Sequence, residues 1–286
     1  MLALGFGLTA AVIWAIHDLL ARKLSQGAAL LPILLVVLGS GCVILIPVAG
    51  LAGDWSLMTR AAASLAVVSG FTFAIAIGAL YRAFSLAPVR VVSPVIGAYP
   101  LISLGIALAQ GRTVTLTDWL AVGAIVLGIA IVAIAARDDA PEGYAAEPRV
   151  ALAWAVLSAF GFAATFALGQ EASRQGSELP VALIGRIVAF SLILCLIALR
   201  RASLWPLRGQ IGILSLMGVF DAAALGLVIA AGSLPQAEYA SVASSLFGVL
   251  TVLLAAWFLK EHARPVQWLG IATVFGGIAA LGLHGT

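Results

Sequence analysis

Few residues in this chain could do chemistry, and most of them stand inside apolar sequence. Asp221 sits in Val219-Phe220-Asp221-Ala222, midway along an apolar run. A carboxylate at such a depth costs roughly 2.5–3.5 kcal/mol to insert, so it faces a cavity or a partner. Arg186 lies in the preceding apolar run. At about 1.5 Å per helical residue the two charges fall on the same side of a bilayer, roughly 10 and 15 Å deep. They either form a structural ion pair between neighbouring helices or line a solute path in which Asp221 binds an ammonium or a proton. His17-Asp18 closes the first apolar run and is followed by Arg22 and Lys23. Asp18 and Arg22 are four apart and could pair along one helix face at the interface. Alternatively His17 and Asp18 form a titratable pair at a cavity floor, since histidine titrates near neutral pH. His17, Asp18, Arg186 and Asp221 are therefore the candidates for coupling.

Other chemistries lack their residues. The histidines are His17, His262 and His284, so there is no His-Glu-x-x-His, and there is no Gly-x-Ser-x-Gly. The lysines are Lys23 and Lys260, which leaves no P-loop Gly-Lys pair. Cys42 and Cys195 both fall in apolar runs and give neither a disulfide framework nor a metal spacing. The sequence thus speaks against an intramembrane enzyme, an ATP-driven pump built from this chain alone, a metal and a cofactor. A passive channel would want rings of polar residues along a pore, and few are present.

The elements that must hold these residues follow from composition. Charged residues make up 9% and apolar residues 63% of the 286, with mean hydropathy +1.16. A soluble domain carries about 25% charged residues, so lipid is the solvent for most of this surface. A bilayer-crossing helix needs roughly 20 apolar residues. Apolar runs place spans at 2–20, 28–51, 61–81, 88–109, 119–136, 150–170, 179–200, 209–231, 237–259 and 266–284. The first has no basic segment before it and reads as a retained helix, not a cleaved leader. The net charge of +3 comes from scattered basic residues, with no basic run to suggest nucleic acid. The partners expected are the bilayer and a small-molecule solute, with a monomer sufficient.

Two local features mark the fourth and ninth spans. Ser93-Pro94-Val95-Ile96-Gly97-Ala98-Tyr99-Pro100 carries two prolines and should bend or break. Its counterpart, Ser241 to Gly248, is rich in small polar residues and includes Ser244 and Ser245. Irregular backbone at membrane depth is tolerated where it lines a cavity, although small residues also serve ordinary helix packing.

The chain repeats at an offset of 149. Gln26-Gly27 falls on Gln175-Gly176, Phe71 on Phe220, Trp119-Leu120 on Trp268-Leu269, and Gly128-Ile129-Ala130 on Gly277-Ile278-Ala279. The polar segment 137–149 divides two five-span units, 1–136 and 150–286. An odd number of spans per unit makes the copies inverted, an architecture that places a solute site at their interface. The fold expected is an all-α membrane protein of about ten transmembrane helices in two inverted five-helix repeats.

The segments 79–132 and 233–281 resemble the third-to-fifth helices of the drug/metabolite transporter superfamily and their repeat, most closely its ten-helix EamA-type branch. Lys260-Glu261 and Trp268-Leu269-Gly270 fit the family's pattern, whereas Gly111-Arg112 and Trp119-Leu120-Ala121 depart from it. The resemblance implies a central cavity surrounded by helices 3, 4, 8 and 9, with 1 and 6 beside it. On those helices stand the aromatics Trp14, Phe71, Phe73, Tyr81, Tyr99, Trp154, Phe220 and Tyr239, expected as cavity wall. Tyr99 and Trp154 would sandwich an apolar or aromatic group, with Ser244 and Ser245 at its polar end. Trp119 and Trp268 open the fifth and tenth spans and read as interfacial anchors. The function implied is alternating-access export of small amphipathic metabolites, neutral or aromatic amino acids foremost, across a bacterial inner membrane.

Orientation follows from Lys and Arg. Arg22, Lys23, Arg82, Arg90, Arg137, Arg149, Arg200, Arg201, Arg208, Lys260 and Arg264 share one face, against Arg60, Arg112 and Arg174 on the other. The positive-inside rule then puts both termini in the periplasm. A reporter active only in the cytoplasm, fused after Thr286, is expected to stay silent; strong signal from it would reverse the assignment.

Overall fold

The computed structural model describes residues 2–26, 28–102, 105, 115–135, 148–206, 209–235, 238–261 and 263–284, with backbone alone at 133, 148, 238–239 and 281–284. Gly27, Gly111, Arg112, Arg137 and most of the expected linker 137–149 lie outside these residues, as do His262 and Arg208. The helices are α1 (Leu2–Ser25), α2 (Leu30–Ala52), α3 (Arg60–Leu86), α4 (Val89–Ile96), α5 (Leu116–Ala135) and α6 (Pro148–Arg174). They continue with α7 (Glu178–Arg200), α8 (Ile211–Ala230), α9 (Glu238–Ser244), α10 (Phe247–Phe258) and α11 (Pro265–His284). No strand occurs among the described residues. Seven helices are long and apolar enough to cross a membrane, and three shorter apolar segments, Val89–Ile102, Leu116–Val132 and Pro265–Ala280, complete the ten spans expected.

Local chemistry sets several helix ends. Thr59 caps α3 by accepting the Ala62 N–H at 3.0 Å, which satisfies one of the donors a helix start leaves free. Arg201 ends α7 in the left-handed region at φ 48°, a conformation that helix C-termini use to satisfy their last carbonyls.

Contacts between connections establish the inversion. Arg22, after the first span, reaches Glu261, which in turn accepts the Val89 N–H at the start of the fourth, so connections 1–2, 3–4 and 9–10 share one face. On the opposite face Asp54 N–H donates to Ser177 Oγ and Arg174 Nε to the Gly232 carbonyl, joining connections 2–3, 6–7 and 8–9. Connection 6–7 is the repeat counterpart of 1–2, yet it lies at the other end of the molecule. Helix pairing obeys the same exchange. α3 packs on α6 as α8 packs on α1, while α2 packs on α8 as α7 packs on α3. Spans five and ten pack on each other.

Close approach in that last pair explains the repeated glycines. A Cβ on Gly128 would fall 2.6 Å from the Gly270 carbonyl oxygen, and one on Gly277 would fall 2.7 Å from that of Ala121. Shifted by 149, the first contact becomes the second. Without a hydrophobic drive between helices in lipid, such small-residue contact is how they hold together. Phe71 and Phe220 also match at this offset but differ in setting. Phe71 is exposed on the apolar exterior and Phe220 half-buried.

Both marked spans break. The fourth is helical to Ile96, turns at 97–98 and is helical again at 99–102. Pro100 supplies no N–H to the Ile96 carbonyl, and a residue preceding proline avoids the helical region. The ninth breaks at 245–246 with no proline at all. There Ser244 Oγ donates to the Ser241 carbonyl at 2.9 Å and Ser245 Oγ to that of Val242 at 2.6 Å. Serine hydroxyls thus compete with the backbone for the carbonyls a helix would use. The breaks lie against each other: a Cβ on Gly248 would meet the Ser93 carbonyl at 2.9 Å.

The Gly128 contact yields a stability prediction. Gly128→Ala should destabilise the protein by about 1–3 kcal/mol through overpacking against backbone. Gly123→Ala on the same helix, where a Cβ meets nothing within 4 Å, should not lower stability. Thermal unfolding of both variants in detergent reads the difference; equal midpoints would remove the close-packing explanation.

Candidate functional site

The site is built from one face of α1. Trp14, His17, Asp18 and Arg22 recur at three- and four-residue spacing and so project the same way. All four are buried. Opposite them α7 and α8 bring Arg186 and Asp221 together in a buried ion pair. Arg186 Nη1 donates to Asp221 Oδ2, Nη2 donates to the Gly218 carbonyl at 2.9 Å, and the Trp14 indole N–H donates to Asp221 Oδ1 at 3.1 Å. The guanidinium also lies 5.5 Å from the Phe73 ring centre. Its room comes from glycine: a Cβ on Gly41 would sit 2.3 Å from Arg186 Nε.

A second polar group stands beside this one. Asp18 Oδ1 and His17 Nδ1 are 2.9 Å apart, and His17 Nε2 is 3.2 Å from the Tyr81 hydroxyl. The expected Asp18–Arg22 pair does not form. One turn further along α1, Arg22 Nε donates to Glu261 Oε1 at 3.1 Å and Nη1 donates to the Phe84 carbonyl. Glu261 gives the buried guanidinium a charge-assisted bond and the Phe84 carbonyl gives it a second acceptor.

Between these groups lies a cavity of about 330 Å³ including its mouth, so narrow that it admits little more than water. α1 lines it with Trp14, His17 and Asp18, α3 with Ile77 and Leu80, and α6 with Phe162 and Phe166. Tyr99, Asp221 and Phe247 complete the wall. The rings touch one another: Trp14 to Phe166 at 5.6 Å, Tyr99 to Phe166 at 5.0 Å and Phe162 to Phe166 at 5.7 Å between centres.

Of the aromatics singled out from sequence, Trp14 and Tyr99 are in this wall. Phe73 and Tyr81 are fully buried one layer behind, supporting Phe162 and His17. Phe71 and Trp154, 46% and 36% exposed, face outward, so the expected Tyr99–Trp154 sandwich does not exist. Phe220 is half-buried away from the lining, and the Tyr239 side chain lies outside the described residues. Ser244 and Ser245 are buried and turned to neighbouring carbonyls, with Ser244 also meeting the Tyr99 hydroxyl. Ser244 joins the two breaks through Tyr99, and neither serine lines the cavity. Sequence reasoning missed Phe162, Phe166 and Phe247. The i, i+4 spacing of the first two on one face of the sixth span was the available signal.

The ion pair is directly testable. Asp221→Asn or Arg186→Met alone leaves a buried charge unmatched and should destabilise by about 3–5 kcal/mol, whereas the double change should recover most of the loss. A double-mutant cycle on thermal unfolding in detergent reads this; additive losses would mean that the two side chains do not act as a pair.

The sequence model of the EamA-like transporter family matches residues 1–134 and again 149–283. A protein known from its crystal structure superimposes with TM-score 0.68 at 20% identity, over 97% of this chain and 95% of that one. At that identity the likeness speaks for the fold. No curated protein sequence matches the chain.

Proposed function

The chain belongs to the EamA-like transporter family, and from that premise we propose that it is a secondary transporter exporting small amphipathic metabolites across a bacterial inner membrane. Neutral and aromatic amino acids are the first class to test. The observation that carries this reading is the narrow cavity walled by Trp14, Tyr99, Phe162, Phe166 and Phe247, with carboxylates at its polar side. An apolar wall with a few placed polar groups is the usual make-up of a small-molecule site. The cavity takes residues from both repeats, as alternating access between inverted units requires. The moving bodies in this reading are 1–136 and 150–286, with 137–149 as their linker, and both termini are periplasmic. A single copy of the chain suffices, and it carries the solute across unaltered.

Support for closure comes from Arg22. Its contacts with Glu261 and the Phe84 carbonyl lie one helical turn from Asp18, about 6 Å along α1. They tie the first, third and ninth spans together on the charge-rich face, and Glu261 adds the fourth through Val89. For a solute to pass on that side these contacts must part.

Uptake of a panel of radiolabelled solutes into proteoliposomes, with and without a pH gradient, tests the reading; no movement of any solute would overturn it. Ring stacking gives roughly 0.5–1.5 kcal/mol beyond area burial, or about three- to tenfold in affinity. Tyr99→Ala should weaken transport of aromatic solutes by that factor relative to threonine. Tyr99→Phe keeps the ring but loses the bonds to Ser244 and the Ser241 carbonyl, and so separates wall from pin. Trp154→Ala should leave selectivity unchanged. Equal loss for every solute in Tyr99→Ala would remove the ring from recognition.

A further inference from the structure

We propose that Asp18 is the anchor for a protonated amine, so that this cavity selects amphipathic monoamines over carboxylate-bearing analogues of the same size. The inference rests on the transport reading above and, among the amphipathic metabolites it covers, puts amines ahead of the amino acids named there.

Most polar atoms of the lining are already engaged. Trp14 Nε1 is committed to Asp221. The two oxygens of Asp221 are taken by Trp14 and Arg186. His17 has Asp18 at one ring nitrogen and Tyr81 at the other, and the Tyr99 hydroxyl meets Ser244 and the Ser241 carbonyl. Among the described residues the one lining side-chain atom without a hydrogen-bond partner is Asp18 Oδ2. It belongs to a residue 1% exposed. A buried polar atom without a partner is rare and calls for an explanation. A ligand that completes it is one.

The unsatisfied atom is an acceptor, and the charge around it is unbalanced. Arg186 neutralises Asp221, whereas Asp18 has only the imidazole beside it. Arg22, the nearest cation along α1, is turned to Glu261 and the Phe84 carbonyl. A donor that also carries positive charge satisfies both deficits together, and an ammonium does so. The surrounding wall suits the same ligand. Trp14, Phe162, Phe166 and Phe247 present aromatic rings, whose faces attract cations and whose area covers an apolar tail. For a carboxylate the lining has no uncommitted donor. Arg186 is not in the wall, and its Nε sits against Gly41 on the second span. An amino acid would place its carboxylate next to Asp221 and Asp18 with nothing to receive it. In the present conformation the cavity is too narrow for any such solute, so loading goes with separation of its walls.

Three ligands with the same ring and chain isolate the charged end: 2-phenylethylamine, phenylalanine and 3-phenylpropionate. Binding to the purified full-length protein is measured by tryptophan fluorescence, and transport in proteoliposomes. A charge-assisted hydrogen bond in a dry site predicts that 2-phenylethylamine binds about tenfold or more tighter than phenylalanine, with 3-phenylpropionate weakest. Asp18→Asn should remove about that factor for the amine while the protein stays monodisperse on gel filtration. Asp18→Glu should keep the amine-first order. Because the ranking is read in the wild-type protein, it stands whether or not a variant folds. Equal binding of the three ligands, or amine binding unchanged in a folded Asp18→Asn, overturns the amine anchor. If other solutes of the panel are still carried, the transport reading survives that failure; if none is carried, the transport reading falls as well.

Discussion

The buried contact between Arg186 and Asp221 is the fixed point on which the rest of the structure depends. Removing two charges from water is costly, and the cost is offset only when each is matched and its remaining polar atoms are engaged. Both Asp221 oxygens and both terminal nitrogens of Arg186 are engaged, with Nε alone left without a partner, and this recruits parts of both repeats. Arg186 and Asp221 come from α7 and α8, the indole N–H from α1, the ring beside the guanidinium from α3, and the space for it from Gly41 on α2. The network therefore sets where the halves meet. It also holds the Trp14 ring against the aromatic wall.

Scaffold and site follow different symmetry. The scaffold repeats: helix pairings exchange between halves, and the Gly128 and Gly277 contacts are one contact written twice. The polar groups do not repeat. At the offset of 149, Asp221 corresponds to Thr72, Arg186 to Val37, Trp14 to Ala163 and Asp18 to Ala167. Inverted duplication supplies two equivalent halves that can rock about one centre. At that centre the charged residues form a single asymmetric set.

The two broken spans reach the same geometry by different chemistry. Proline withholds donors in the fourth, while serine hydroxyls draw carbonyls away in the ninth. Tyr99 joins them by donating across the gap to the Ser241 carbonyl. Helix ends at membrane depth leave backbone groups that lipid cannot satisfy. Local turn bonds within each break and the Tyr99 hydroxyl across the gap answer part of this need, and the two breaks pack against each other beside the cavity.

The sequence by itself determined the solvent, the number of spans, the repeat and its inversion. These follow from apolar run length, a fixed offset and an odd count, all of which are local or arithmetic. It also marked Asp221 and Arg186, because an ionised group in a long apolar run needs a partner wherever the chain folds. It did not decide which aromatics face inward. Trp154 and Phe162 sit on the same helix in equally apolar surroundings, and lipid is as apolar as a cavity wall, so composition cannot separate outside from inside. Nor could it choose Arg22's partner, since Asp18 is four residues away and Glu261 is at the other end of the chain. Tertiary packing decided both, by bringing Glu261 within hydrogen-bond distance of Arg22 and leaving Asp18 with an oxygen that no side chain reaches.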